Sequence, residues 1–121
     1  MRKFTETHEW IELTNNLATV GITAHAVSEA GEIVHIELPH TNKDVKAGDV
    51  VCVIESTKAA IDITCPISGY ITQVNKVLES DLQQINQASE QNGWLFQMKP
   101  ANPKELDVLL DKAHYEAMIR D

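Results

Sequence analysis

Apolar and polar residues alternate with a period of two along much of this chain. Thr7 to Leu13 (THEWIEL) and Leu17 to Ile22 (LATVGI) are two such runs, parted by Thr14-Asn15-Asn16, a hairpin-type break. Ile33 to Leu38 (IVHIEL) predicts a third strand, closed by Pro39. Further strands are predicted at Val50 to Glu55, Ala60 to Cys65, Gly69 to Val77 and Trp94 to Lys99. Between the third and fourth, HTNKDVKAGDV reads as a polar loop that turns at Lys46-Ala47-Gly48-Asp49. Ala24 to Ala30 breaks the alternation. It is rich in helix formers and stops at Gly31, which predicts a short helix. Near the C-terminus, Asn102-Pro103-Lys104-Glu105 supplies a capping residue, a first-turn proline and an early acid. Leu106, Leu109, Leu110 and Ala113 then recur at helical spacing, and a second short turn carries Tyr115, Met118 and Ile119. Residues 102–119 are therefore expected to form a helical cap on a mainly β body.

The register of one hairpin follows from the pattern alone. The run VIESTKAAID (53–62) places a polar break between two apolar strands, with Lys58 at its tip. If Thr57 and Lys58 form the loop, Ser56 pairs with Ala59, Ile54 faces Ile61, Cys52 faces Ile63 and Val50 faces Cys65. Cross-strand partners share a face, so these apolar residues gather on one side. Val51, Val53, Glu55, Ala60, Asp62 and Thr64 take the other. A one-residue slip would destroy that segregation. Cys52 and Cys65 fall diagonally across the apolar face, roughly 7–8 Å apart. That exceeds the reach of an unstrained disulfide, which predicts two small buried hydrophobes.

Composition narrows the class. With 121 residues the chain is expected to form one domain spanning 1–121. Aromatic residues make up only 5%, so the core is expected to be aliphatic and β-branched. A formal net charge of −8 repels nucleic acid and anionic membranes, and neither is expected as a partner. The apolar runs are too short to span a bilayer, and MRKFTETHEW lacks a signal peptide's apolar centre. A cytoplasmic monomer is the expectation. Two cysteines are too few for a disulfide scaffold or a cysteine-only zinc site.

Lys58 is the residue whose chemistry remains open. A lysine in a turn can simply be a solubilising surface residue. A Schiff-base lysine needs a desolvated pocket, and a phosphate-cradling lysine needs a glycine-rich loop opening a helix. Neither surrounds Lys58. Covalent attachment suits the placement better, because a modifying enzyme needs an exposed amine on a fixed turn; acylation then removes its charge.

The run ESTKAAID, with His8-Glu9-Trp10 and Gly21-Ile22-Thr23 before it, resembles the H protein of the glycine cleavage system. So do Glu37-Leu38-Pro39, Pro66-Ile67-Ser68-Gly69 and Gly93-Trp94-Leu95. The resemblance covers nearly the whole chain. It implies a flattened barrel or sandwich hybrid of the lipoyl/biotinyl-carrier type, with a short helix in the N-terminal half and a C-terminal helix. It also implies lipoic acid in amide linkage on Lys58, within a recognition turn of Glu55, Ser56, Thr57, Ala59 and Asp62 read by a lipoylating enzyme. The implied partners are a pyridoxal-phosphate glycine decarboxylase (P protein), an aminomethyltransferase (T protein) and a flavin-bearing dihydrolipoyl dehydrogenase (L protein). The chain would be a carrier rather than an enzyme, since the hard chemistry belongs to partner cofactors. The family shelters the loaded arm with the acid of the HEW motif, Glu9 here. His8 and Asp62 are further candidates for that region, and an exposed strand carboxylate is the plain alternative for Glu9. His8 and His25 otherwise read as structural or surface residues, and no metal site is expected.

Some positions depart from the family's pattern. Ala24 stands where an aspartate is common, Asn42 where a glycine follows the ELP turn, and Cys52 where another glycine precedes the ES motif. Ala60 and Ile61 follow the lysine where a serine is often found two places before the aspartate. Ser89 and Glu90 replace a proline and a tyrosine in a loop expected near the lysine's end of the molecule. Two other roles are compatible with the same residues: a lipoyl donor in cofactor assembly, and an unmodified interaction module that keeps the fold.

Overall fold

The computed structural model describes residues 2–120. The strands in chain order are β1 (Arg2–Phe4), β2 (Glu9–Thr14), β3 (Leu17–Ile22), β4 (Ile33–Glu37) and β5 (Lys43–Val45). They continue with β6 (Val50–Ser56), β7 (Ala60–Thr64), β8 (Gly69–Val74) and β9 (Phe96–Pro100). Three α-helices join them: α1 (Ala24–Ala30), α2 (Gln83–Ala88) and α3 (Lys112–Ile119). One sheet runs β1-β2-β3-β9-β8-β5 and the other β4-β6-β7, with every pairing antiparallel. The mainly β, layered fold with a helix in each half is as expected, and the two sheets stay open rather than closing into a barrel.

Aliphatic residues of both sheets meet in one core. Ile11, Val20, Ile22, Ile71 and Met98 of the first sheet join Ile36, Ile54 and Ile63 of the second, with Leu95 in the same cluster. Each such side chain contributes about 1.5–3 kcal/mol when fully buried. Phe4, Trp10 and Tyr115 gather separately, on the outer face of β1 and β2, where α3 docks with Met118 and Ile119. The β2 strand is consequently covered on both sides, and Glu9, Trp10 and Ile11 are buried in succession. By the period of two, Glu9 shares the inner face with Ile11. Trp10 turns outward onto Gly21, its cross-strand partner, where a Cβ would come within 2.7 Å of the indole.

The predicted β2–β3 hairpin closes on two residues, Asn15 (φ 51) and Asn16 (φ 64). Left-handed conformations at both positions match the strand twist, and asparagine tolerates them. Asn42 likewise adopts φ 58. The Lys46–Asp49 turn forms, with Lys46 N–H donating to Asp49 Oδ2 at 2.8 Å and Asp49 N–H to Lys46 O at 2.9 Å.

Four differences from the sequence reading have clear causes. The polar loop after Pro39 contains β5, whose exposed residues show no alternation because only Val45 reaches the core. The strand expected to run to Val77 stops at Val74. Asn75 turns the chain there, its amide donating to the carbonyls of Asn92 and Trp94, and a 3₁₀ turn follows at Lys76–Glu79. At the start of β6 the register shifts, so Val50 pairs with Thr64 rather than Cys65 and is 55% exposed. The C-terminal cap is broken. Pro103–Val108 forms a 3₁₀ helix, Leu109 is extended, and Leu110 exchanges backbone hydrogen bonds with Phe4 at 2.8 and 2.9 Å. Pairing with β1 thus overrides the local helical spacing, and Asp111 restarts the chain as α3 by accepting from His114 N–H.

Candidate functional site

The β6–β7 hairpin carries Lys58 in the predicted register: Cys52↔Ile63, Val53↔Asp62, Ile54↔Ile61 and Glu55↔Ala60. Its tip is organised by one hydroxyl. Ser56 Oγ accepts from the backbone N–H groups of Lys58 and Ala59, both at 3.1 Å, and donates to Ala59 O at 3.2 Å. Ser56 N–H donates to Ala59 O at 2.8 Å, and Thr57 N–H reaches Glu32 O at 3.0 Å. The turn is therefore tied both to itself and to the residue after Gly31. Gly31 sits beneath the tip at φ 88 and ψ −171, so close that a Cβ there would lie 3.3 Å from Thr57 Oγ1 and 3.4 Å from Lys58 Cε. Lys58 itself is exposed.

Beside Lys58 lies a cleft of about 300 Å³. Its walls are apolar: Ile54, Ile61 and Ile63 from the hairpin, Ile22 from β3, and Ala26 and Ala30 from α1. Thr7, His8 and Glu29 supply the polar atoms. The apolar face deduced from the hairpin register is thus the floor of the cleft. Glu55 and Asp62 stand on the opposite, exposed face. Asp62 consequently flanks the lysine turn but does not line the cleft, because period-two geometry turns it away from Ile61 and Ile63.

Glu9 is neither in the cleft wall nor an exposed strand carboxylate. It is 1% exposed, and its Oε1 accepts from the hydroxyls of Thr5 and Thr7, each at 2.6 Å. Burial holds this carboxyl above the ordinary glutamate range, while hydrogen bonds from Thr5, Thr7 and Thr64 pull the other way. Thr7 thus lines the cleft and also donates its hydroxyl to the buried acid.

His8, at φ 73, lines the cleft while its Nδ1 lies 2.8 Å from the Tyr115 hydroxyl. Its ring is 4.9 Å from that of His25, whose Nε2 is 3.6 Å from Glu29 Oε1. Burial first, and then the neighbouring His25, push the His8 imidazole below its ordinary value. The two histidines are brought together, but among the described residues no cluster of three or more His, Cys, Asp or Glu is arranged to hold a metal. Cys52 and Cys65 are free and buried, with both thiols pushed up to about 12, which rules them out as ready nucleophiles.

Two departures from the family's pattern meet in space. Glu90 Oε2 accepts from the backbone N–H of Ala24 at 2.7 Å, bringing a carboxylate to the first turn of α1. The position where the family has an acid is alanine here, and the acid arrives from the other loop. Ser89 is 4% exposed and its carbonyl accepts from Trp10 Nε1 at 2.9 Å. That loop packs at the N-terminal end of α1, roughly 10 Å of helix from Gly31, and Ser89 is buried in it rather than on the surface. Thr7, Glu29 and Gly31 carry no periodic signal that would have marked them. They lie in turns or on a short helix, and only the fold brings them to Lys58.

Comparison with known proteins gives one consistent result. The family model described as glycine cleavage H-protein matches residues 2–121. A glycine cleavage system H protein from Thermotoga maritima is 45% identical over 116 residues, spanning 96% of this chain and 94% of that protein. One from Phenylobacterium zucineum is 42% identical over 117 residues, 97% of each. The crystal structure of a glycine cleavage system H protein from Mycobacterium marinum superposes with a TM-score of 0.91 at 31% identity. That match covers 99% of this chain and 97% of the other.

Proposed function

The chain belongs to the glycine cleavage H-protein family, and on that premise we propose that Lys58 carries its lipoyl arm, in amide linkage. The family role is that of a lipoyl carrier in glycine cleavage. We further take residues 1–121 as one carrier unit that does no catalysis of its own. It accepts an aminomethyl group at the P protein, delivers it to the T protein and is reoxidised by the L protein. The observation that carries the reading is the exposed Lys58 on a turn fixed by Ser56, opening beside an apolar cleft.

The cleft fits such an arm. Its volume lies at the lower end of the range for small-molecule sites, and a mostly apolar wall with a few polar atoms is the usual chemistry of such sites. Lipoate on Lys58 would supply a disulfide that takes the aminomethyl carbon on one sulfur and a proton on the other, the dithiol arising only once that carbon has been passed on. The chain's own residues do the rest. Amide formation removes the Lys58 charge, so the hairpin tip no longer repels a cationic amine. Ile54, Ile61, Ile63, Ala26 and Ala30 exclude water from the arm. Thr7 can accept from an ammonium on its cleft side while donating to Glu9 on the other. A cation there would offset the burial that now raises the Glu9 carboxyl, so acid and amine stabilise each other's charged form. Tethering replaces a diffusional encounter by a local one, with effective concentrations of about the mM range.

The test is intact mass after expression in a host supplied with lipoate. The protein should gain one lipoyl increment, and Lys58→Arg should gain none. An unmodified wild-type chain in the presence of active lipoylating enzyme would overturn the assignment.

A further inference from the structure

Tyr115 lies on the C-terminal helix, yet its hydroxyl contacts His8, which lines the cleft, and Thr23, which caps the helix that lines it opposite. The residue is 4% exposed, and its ring stacks on Phe4 with centroids 4.8 Å apart and planes 10° from parallel. That stacking helps to anchor α3 beside Met118 and Ile119, and phenylalanine would serve it equally. The hydroxyl does something else. It lies 2.8 Å from His8 Nδ1 and 2.7 Å from Thr23 Oγ1. His8 lines one side of the cleft. Thr23 caps α1 by accepting from Ala26 N–H at 3.1 Å, and α1 supplies Ala26, Glu29 and Ala30 to the other side. One phenol therefore joins the turn before β2 to the helix opposite.

We propose that Tyr115 is a positioning residue for the loaded arm: its hydroxyl fixes the His8 imidazole and the α1 cap together, so the cleft keeps one shape around a cationic cargo. This rests on the reading that the arm of Lys58 occupies that cleft. The hydrogen-bond chemistry favours a neutral imidazole. Thr23 Oγ1, already accepting from Ala26 N–H, has its own proton to donate to the phenol oxygen, leaving the phenol proton for His8 Nδ1. A protonated His8 would have to reverse its own bond, with Nδ1–H donating and the phenol oxygen accepting. The groups facing His8 are His25 and Glu29 from α1, Tyr115 from α3, Thr7 from its own segment, and Lys58 from the hairpin tip. Once Lys58 is acylated, a neutral His8 adds no charge of the amine's own sign to the cleft wall.

The variant Tyr115→Phe keeps the stack on Phe4 and deletes the hydroxyl. In the unmodified chain, nitrogen NMR of His8 should lose the signature of a hydrogen-bonded Nδ1. In the loaded protein without T protein, formaldehyde release to water should rise about five- to thirtyfold, the equivalent of one or two lost hydrogen bonds. The rate of lipoylation should not change, because the Ser56 turn is untouched. Met118→Ala serves as the control, since it loosens the packing of α3 but leaves the hydroxyl in place. Equal acceleration by Met118→Ala at matched stability would show that α3 acts only as an anchor and would overturn the proposal. So would a Tyr115→Phe protein with unchanged His8 resonances and unchanged release. Wild-type protein that loses its cargo as fast as a free aminomethyl dihydrolipoamide would instead refute the cleft reading, and the His8 signature would still decide the role of Tyr115.

Discussion

Replacing Gly31 by alanine perturbs the lysine turn without touching it. Gly31 sits at φ 88 and ψ −171, a region of backbone conformation used almost solely by glycine. Forcing an L-residue into it costs about 1–3 kcal/mol. The new methyl would also press on Thr57 Oγ1 at 3.3 Å and Lys58 Cε at 3.4 Å. Both atoms belong to side chains that can give way, so the backbone term dominates stability. The contact term acts on the turn, whose Thr57 N–H is fixed to Glu32 O and cannot retreat freely. For a chain of this size each kcal/mol lowers Tm by about 4 °C, so Gly31→Ala should melt roughly 4–12 °C lower. Gly48→Ala separates the two effects. Gly48 also has positive φ, at 92, but a Cβ there meets nothing within 4 Å. Both variants should lose stability in urea unfolding, while only Gly31→Ala should slow attachment to Lys58 by a lipoylating enzyme. Equal slowing by Gly48→Ala, or a Gly31→Ala protein within about 0.5 kcal/mol of wild type, would refute the reasoning.

Two further outcomes follow from the site. Because burial raises the Glu9 carboxyl above the ordinary 4.5, the folded chain binds that proton more tightly than the unfolded one. This contribution to stability is present below the ordinary value and is lost as pH rises through the raised folded value. Glu9→Gln, which can still accept from Thr5 and Thr7, should therefore gain stability relative to wild type across that window and hold a constant margin above it. Urea midpoints between mildly acidic and neutral pH measure this, and a margin that shrinks with pH would contradict it. Glu90→Gln should cost about 0.3–1 kcal/mol by removing a carboxylate from the first turn of α1. Ala24→Asp should restore stability in the Glu90→Gln background and fail to do so beside the native Glu90, where two like charges would crowd one helix end. A thermal-melt double-mutant cycle reads the coupling, and strictly additive effects would show that the two positions are independent.

The sequence determined the pieces whose rules are local. Asn15 and Asn16 closed a two-residue hairpin because asparagine accepts left-handed backbone. Gly31 stopped α1. The period of two assigned Ile54, Ile61 and Ile63 to one face, which by itself placed Lys58 at a turn. Even there a bulge at Val50, set by how β6 begins against β7, escaped the pattern.

The tertiary structure decided everything that depends on distant residues sharing a surface. Glu9 became a buried acid because the opposite sheet covers the inner face of β2 while α3 covers Trp10 on the outer one, a fact that alternation within β2 cannot carry. Leu109 and Leu110 left their helical spacing because pairing with Phe4 satisfied backbone groups that a continued helix would have satisfied locally. Glu90 reached Ala24 across a separation of sixty-six residues, and Tyr115 reached His8 across one hundred and seven. Local propensity acts through neighbours a few positions apart, whereas a cleft is defined by which faces meet. For that reason the lysine and the apolar face of its hairpin could be read from the chain, and the residues that close the cleft against that face could not.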